Sequence, residues 1–542
     1  MKKLLLFIGM FLISSPAFAQ KSSSSIPAKP KLVVGIVVDQ MRYDFLFRFW
    51  DLYSDGGFKR LVNDGFLCQD ARYNYFLTTT GPGHSTIYTG ATPSIHGIVD
   101  NIWYDRLSKK EIYCASDSGT FTTGLEIQTQ SMSPYLLRSS TMTDELKLAS
   151  KQSRVIGIAL KDRAAIMPAG HMADGAYWYD AKTGKWITST WYKKSLPDWL
   201  SDYNRRDGTN QYLNQTWGLL LQRDRYKQCT GDSVIYEDPL SNETLPIFPH
   251  HLGKHDYSIL PFTPFANTMT KDIAINAIKS EQLGKQNATD FLCISFSSTD
   301  LIGHKFGPNS LETEDCYLRL DRDLQDLFKF LDSYVGLNNV LIFLTADHGV
   351  AINPQFAEDN KLEGGLVQSD QWKDSINNYI SNFYGRGSWV SDVTVQQVYL
   401  DYDFIAESKK SCEEIAVKVK EYLLNKKEVL CVTVPEYPIL NDCSDYVEQL
   451  IMNGYQHGRS GDILFSVSPG WVDWTSMKGS SHGTIYSYDN HVPLIFYGWK
   501  VPHGSSAASV VISDIAPTVS NWLNIAFPSG CTGKPITDIR LK

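Results

Sequence analysis

An α/β fold, with a mostly parallel central sheet flanked by helices and an inserted α+β subdomain, is the class the sequence predicts. Four continuously apolar, β-branched runs predict it: Lys31–Val38, Arg154–Leu160, Asp290–Ser297 and Asn339–Thr345. Such runs are strands buried on both faces, as in parallel sheets. Helical periodicity lies between them, clearest in Leu311–Tyr334, where Leu318, Leu320, Leu324, Leu327, Phe328 and Leu331 recur on one face. Each run also leads into a carboxylate or a cation pair, and the carboxyl ends of strands in an open α/β sheet form its ligand crevice.

In chain order, Met1–Ala19 has a Lys2-Lys3 start, an apolar Leu4–Ile13 core and an Ala17-Phe18-Ala19 end, the pattern of a secretory signal, so an exported, periplasmic or secreted protein is expected. Residues 20–30, rich in Ser and Pro, read as a flexible leader, and one domain is expected over 31–542. Its first strand ends at Asp39, and helical segments follow at Tyr43–Tyr53 and Gly57–Asp64. In Thr78–Gly90, TTTGPGHSTIYTG, Gly81-Pro82-Gly83 ends a strand and opens a helix. Thr80 is thereby left at a turn whose backbone N–H groups face an anion. Thr92–Asp105 has no clean period and carries His96, Asn101 and Trp103. A short helix, Thr141–Ser150, precedes the second strand, which ends in Lys161 and Arg163.

Residues 184–260, aromatic and polar with weak periodicity, are expected to be an insertion forming a lid or rim. Phe265–Leu283 is a helix, and the third strand delivers Asp300 and His304, four residues apart. The fourth ends in Asp347-His348. Residues 350–478 are expected to be a second insertion, with a helix at Cys412–Leu424 and strands at Val429–Val434 and Asp462–Val467. His482 stands in a Gly-rich loop, followed by a strand at His491–Tyr497 and a helix at Ile512–Leu523.

Composition narrows the function classes. A net charge of −8 offers no basic footprint, so nucleic acid is not an expected partner. Beyond the signal, no stretch approaches the ~20 apolar residues of a membrane span. The 9 cysteines permit disulfides, with at least one unpaired, and the absence of any CxxC argues against a thiolate metal cluster. Cys293, inside an apolar run, reads as a buried thiol.

Thr80 in TGPGH, Asp39, the TPSIHGI stretch leading to Asn101, Asp300 with His304, Asp347-His348 and His482 in SHG together resemble the alkaline phosphatase superfamily. The branch they resemble most contains the type I phosphodiesterases/nucleotide pyrophosphatases and the PafA-like phosphate-irrepressible alkaline phosphatases. The resemblance implies two zinc ions, one held by Asp300, His304 and His482, the other by Asp39, Asp347 and His348 together with Thr80. Paired metals can clamp the attacking and leaving oxygens of an in-line displacement, and a zinc lowers the pKa of a bound hydroxyl. Thr80 would attack phosphorus and water would release the phosphothreonine, giving net retention.

The resemblance further implies phosphoryl contacts from Asn101, Lys161 and Arg163, a set matching the monoesterases of that branch. A monoester dianion has three free oxygens and suits an added cation pair better than a diester does. A small-molecule phosphate monoester hydrolase, acting as a monomer, is therefore the expected function. A phosphodiesterase/nucleotide pyrophosphatase and a non-catalytic exported metal-binding protein are the alternatives. His84 and His96 are expected to be packing residues. With no Cys-x-Pro-x-Arg, a sulfatase nucleophile has no source.

Overall fold

The computed structural model describes residues 29–542, so the signal and all but the end of the leader lie outside the described residues. The central sheet has eleven strands: β1 (Leu32–Val38), β2 (Phe66–Arg72), β3 (Ser116–Thr123), β4 (Gln130–Met132), β5 (Val155–Ala159), β6 (Gly175–Asp180), β7 (Lys185–Ser189), β8 (Asp290–Phe296), β9 (Val340–Thr345), β10 (Leu494–Gly498) and β11 (Gly504–Val511). Their spatial order is β11-β2-β10-β9-β1-β8-β5-β6-β7-β3-β4. The four apolar runs are its middle: β9, β1, β8 and β5 are parallel neighbours, buried along their whole lengths. The flanks depart from parallel order, because β10 inserts antiparallel between β9 and β2, and β6, β7, β3 and β4 are successively antiparallel.

Register fixes where the functional residues emerge. Val37 of β1 pairs with Ser295 of β8 and with Thr345 of β9, so these three strands finish on one level. Asp39 follows β1, α3 (Ser298–Phe306) follows β8, and Asp347 follows β9. Helices α1 (Thr80–Thr89) and α2 (Asp162–Ala169) start at the same edge, α2 directly after β5. The longest helix, α4 (Leu311–Tyr334), spans the residues its periodicity indicates and packs its Leu and Phe face into the main core.

Lys185–Ser189, at the start of the segment expected to be inserted, is a strand of the central sheet. The segment beyond it has little regular structure and packs Trp217, Leu240 and Ile259 against Ile302, Phe306 and Cys316 of α3 and α4. Within 350–478, strands Val390–Thr394, Gln397–Leu400, Ile463–Val467 and Val429–Thr433 form a separate four-stranded sheet with its own core. A disulfide joins Cys431 to Cys443 there.

Candidate active site

Thr80 opens α1 and is buried; Thr79 before it is extended, which turns the Thr80 hydroxyl toward the strand ends. The chain passes so close to β9 here that a Cβ on Gly83 would stand 2.3 Å from the Asp347 carbonyl oxygen, which is why the turn carries Gly at that position. Around the Thr80 Oγ1, Lys161 Nζ, Arg163 Nη2 and His348 Nε2 each lie at 3.5 Å. Arg163 is steadied by Tyr113, whose hydroxyl accepts from Nη1 at 3.2 Å and in turn donates to Asp162. The Asn101 side-chain oxygen accepts the Gly81 N–H at 2.8 Å, which leaves its NH2 group as the donor free for a ligand. Asp100 accepts from the Thr79 hydroxyl and from the Asn101 N–H.

His348 and two further imidazoles of the cluster share one arrangement. In His304, His348 and His482, Nδ1 faces a backbone carbonyl, that of Ser480 at 2.8 Å, Gly349 at 2.9 Å and Thr78 at 2.7 Å respectively. A carbonyl only accepts, so the proton sits on Nδ1 and each Nε2 presents a lone pair. All three lone pairs point into a carboxylate cluster. His304 Nε2 is 3.1 Å and His482 Nε2 3.8 Å from Asp300 Oδ1, while His348 Nε2 is 3.6 Å from Asp39 and 3.5 Å from Asp347. Burial, joined by the neighbouring imidazoles, holds the His482 pKa well below its ordinary value, and burial lowers that of His348. Both are neutral bases at physiological pH.

The carboxylates are the other half of the site. Burial raises the Asp39 pKa well above the usual range, and the charges of Asp300 and Asp347 add to it. Lys161 Nζ stands 2.7 Å from Asp39 and 2.5 Å from Asp300, yet neither Asp39 oxygen, nor Oδ2 of Asp347, receives an aligned hydrogen bond. For Asp300, burial is outweighed by His304 and Lys161, which hold its pKa well below normal.

The donor set fits divalent metal ions. Buried carboxylate oxygens without aligned donors, and imidazoles whose far nitrogen is tied to the backbone, are the kind of groups that could hold such an ion. Ligand atoms of Asp300, His304 and His482 lie within 4.8 Å of one another, as do those of Asp39, Asp300 and His348. Asp300 is thus within reach of both groups, whereas the expected division gave it to one and placed Asp347 in the other.

Asp39, Thr80, Asn101, Lys161, Arg163, Asp300, His304, Asp347, His348 and His482 lie together here, and the structure adds others. Gln40, at φ +65°, donates its backbone N–H to Asp347 at 3.1 Å and its amide to Asp300 at 2.7 Å. His84, expected to pack, donates from Nδ1 to the Thr80 carbonyl at 3.0 Å and meets the Ser295 hydroxyl with Nε2 at 3.0 Å; Asp347 Oδ2 lies 3.3 Å from Nδ1 without an aligned bond. His96 is bound to the Thr86 hydroxyl and the Ile98 N–H, away from the cluster.

The fold and these residues define a class: the chain belongs to the type I phosphodiesterase/nucleotide pyrophosphatase family, whose pattern it matches over residues 33–487. Within that class it is similar to alkaline phosphatase PafA of Elizabethkingia meningoseptica, 41% identical over 98% of each chain. A Myroides odoratus protein named calcium-transporting ATPase is 42% identical over 96% of each chain. The crystal structure of wild-type PafA superposes with a TM-score of 0.91, covering 94% of this chain and 99% of that one.

Proposed function

We propose that the protein is an exported alkaline phosphatase, a zinc-dependent phosphate monoester hydrolase of broad specificity that acts as a monomer through a phosphothreonine at Thr80. The observation that carries this reading is the convergence of Lys161 and Arg163, each 3.5 Å from the Thr80 hydroxyl oxygen. Two cations and the Asn101 amide suit a terminal phosphoryl dianion; a diester has one charge fewer and a second organic arm. Similarity to PafA over nearly the whole chain supports the same activity.

Asp39, Asp347 and His348 on one side, and Asp300, His304 and His482 on the other, would hold two zinc ions, which supply Lewis acidity and hydroxyl activation when bound. The chain's own residues do the rest. Lys161, Arg163 and Asn101 bind and orient the phosphoryl oxygens. Thr80 gives up its hydroxyl proton and Oγ1 forms a bond to phosphorus as the ester P–O bond breaks, and the leaving alkoxide takes up one proton to depart as the alcohol. Water then attacks phosphorus, the Thr80–phosphorus bond breaks, and inorganic phosphate and the Thr80 hydroxyl are regenerated. The Nδ1–carbonyl bonds keep the three imidazoles in one tautomer throughout.

The name of the Myroides relative fits this chemistry in one respect, since ATP also ends in a dianionic phosphoryl group, and ATP belongs among the substrates to be tried. A disulfide agrees with an oxidising compartment, and no helix among the described residues is long and apolar enough to cross a membrane. The test is kcat/KM on an aryl phosphate monoester and its methyl diester. A monoester preference that Thr80→Ala abolishes is expected; a diester preference would move the protein to the phosphodiesterase reading.

A further inference from the structure

Of the three imidazoles, that of His304 is the least enclosed: its side chain is 19% exposed, against 7% for His482 and 0% for His348. Its one hydrogen bond, from Nδ1 to the Ser480 carbonyl, holds an edge of the ring, so the tilt of the ring depends on what lies against its faces; the His482 ring, with centroids 5.2 Å apart and planes 43° from parallel, is one such neighbour.

Trp474 stands against that ring. The indole and imidazole centroids are 4.9 Å apart and the planes 14° from parallel. Trp474 is itself held at both ends, its backbone N–H donating to Val367 at 2.9 Å and its indole N–H to the Lys478 carbonyl at 3.2 Å. Beyond it the chain makes a tight turn at Gly479, φ +67°, where a Cβ would meet the His304 carbonyl at 1.7 Å. Asn353 donates to the carbonyls of Met477 and Gly479, pinning the same turn. Residues 474–480 therefore form a strap that leaves the inserted subdomain, lays an aromatic plate on His304, supplies the acceptor for its Nδ1–H and then delivers His482.

We propose that Trp474 is a positioning residue for His304, fixing the plane of its imidazole and covering its open face so that Nε2 stays aimed at Asp300. This rests on the zinc reading above. Loss of a ligand's supporting partner typically weakens metal binding about 10–100-fold.

The test uses the full chain loaded with zinc, titrated with a competing chelator. Trp474→Ala should release one of the two zinc ions at about 10-fold lower chelator concentration, leaving the other at its wild-type midpoint. Trp474→Phe, which restores a flat ring, should hold both within about 2-fold of wild type, whereas Trp474→Leu, which restores bulk alone, should behave like Ala. Leu and Phe behaving alike, or Ala releasing both ions together or neither early, would overturn the assignment. If Ala fails to fold, the Phe–Leu pair still decides it. A wild-type chain that retains no zinc would overturn this proposal together with the zinc reading, whereas wild-type retention with unaffected variants overturns this proposal alone.

Discussion

Lys161 and Arg163 approach the Thr80 oxygen from different neighbours, Lys161 through Asp39 and Asp300, Arg163 through Tyr113. Their losses should therefore differ in kind. Arg163→Ala removes a donor and leaves the carboxylates as they were, so monoester kcat/KM should fall about 100-fold or more with methyl diester turnover much less affected. Lys161→Ala also frees two buried carboxylates, and should lower the thermal midpoint of the zinc-free protein as well as monoester turnover. Kinetics on both esters beside a melting curve separates the two, and equal losses on both esters would count against the monoesterase reading. At this scale the sequence was most legible. Thr80, the three aspartates and the three histidines could be found because each follows an apolar run or stands in a glycine-rich turn. Gln40, His84 and Trp474 could not, because a Gln after a strand, a His inside a helix and a Trp in a polar loop have no pattern to distinguish them from packing residues.

Among the elements, the segment between β7 and the helix Phe265–Ser280 carries a charge group unrelated to the reaction. Glu237 is 1% exposed with neither carboxylate oxygen hydrogen-bonded, and burial, then the Glu312 charge, raises its pKa. Its folded state keeps a proton that the unfolded chain gives up, so its contribution to stability falls as pH rises above the ordinary glutamate range. His250 runs the same way: burial would lower its pKa, but hydrogen bonds to Glu243 and Glu312 hold it up to about 9. Its stabilisation is full below the ordinary histidine value of about 6.5 and is lost as pH rises through about 9. Glu237→Gln, which cannot ionise, should melt higher than wild type near pH 9 and match it near pH 5, by calorimetry at the two pH values. Element reading succeeded where the period was strong, as in α4, and in the helix Cys412–Leu424, whose limits are as expected. It failed at β7, whose five residues, KWITS, are too short and too mixed to announce a sheet strand, and over Thr92–Asp105, which contains a helical turn at Pro93–His96 and a strand at Ile102–Asp105.

For the molecule as a whole, the mostly parallel sheet was legible from its four central strands, whereas strand order and the reversed β10 were not, since pairing depends on partners far away in the chain. The disulfide was equally hidden, because spacing cannot choose among nine cysteines. Cys431 shares a buried apolar cluster with Phe76 and Leu77, just before Thr80, and with Leu450 and Ile451 of the inserted subdomain, so the bridge lies where that subdomain meets the Thr80 turn. Its loop of 12 residues should contribute about 3 kcal/mol, and the Cys431→Ala, Cys443→Ala double variant should unfold at correspondingly lower urea. Unchanged unfolding would place the bridge outside the cooperative unit.

The bond from His482 to the Thr78 carbonyl has a consequence in time. Its two ends are 404 residues apart, which at 5–20 residues per second is about 20–80 s of synthesis. β2, likewise, finds its partners β10 and β11 only in the last part of the chain. A nascent or truncated chain that stops short of residue 482 carries Thr80 and most of the cluster but not the last imidazole. Under the proposed mechanism the nucleophile is made early and its metal site is completed late, so a chain interrupted on the ribosome lacks a complete site.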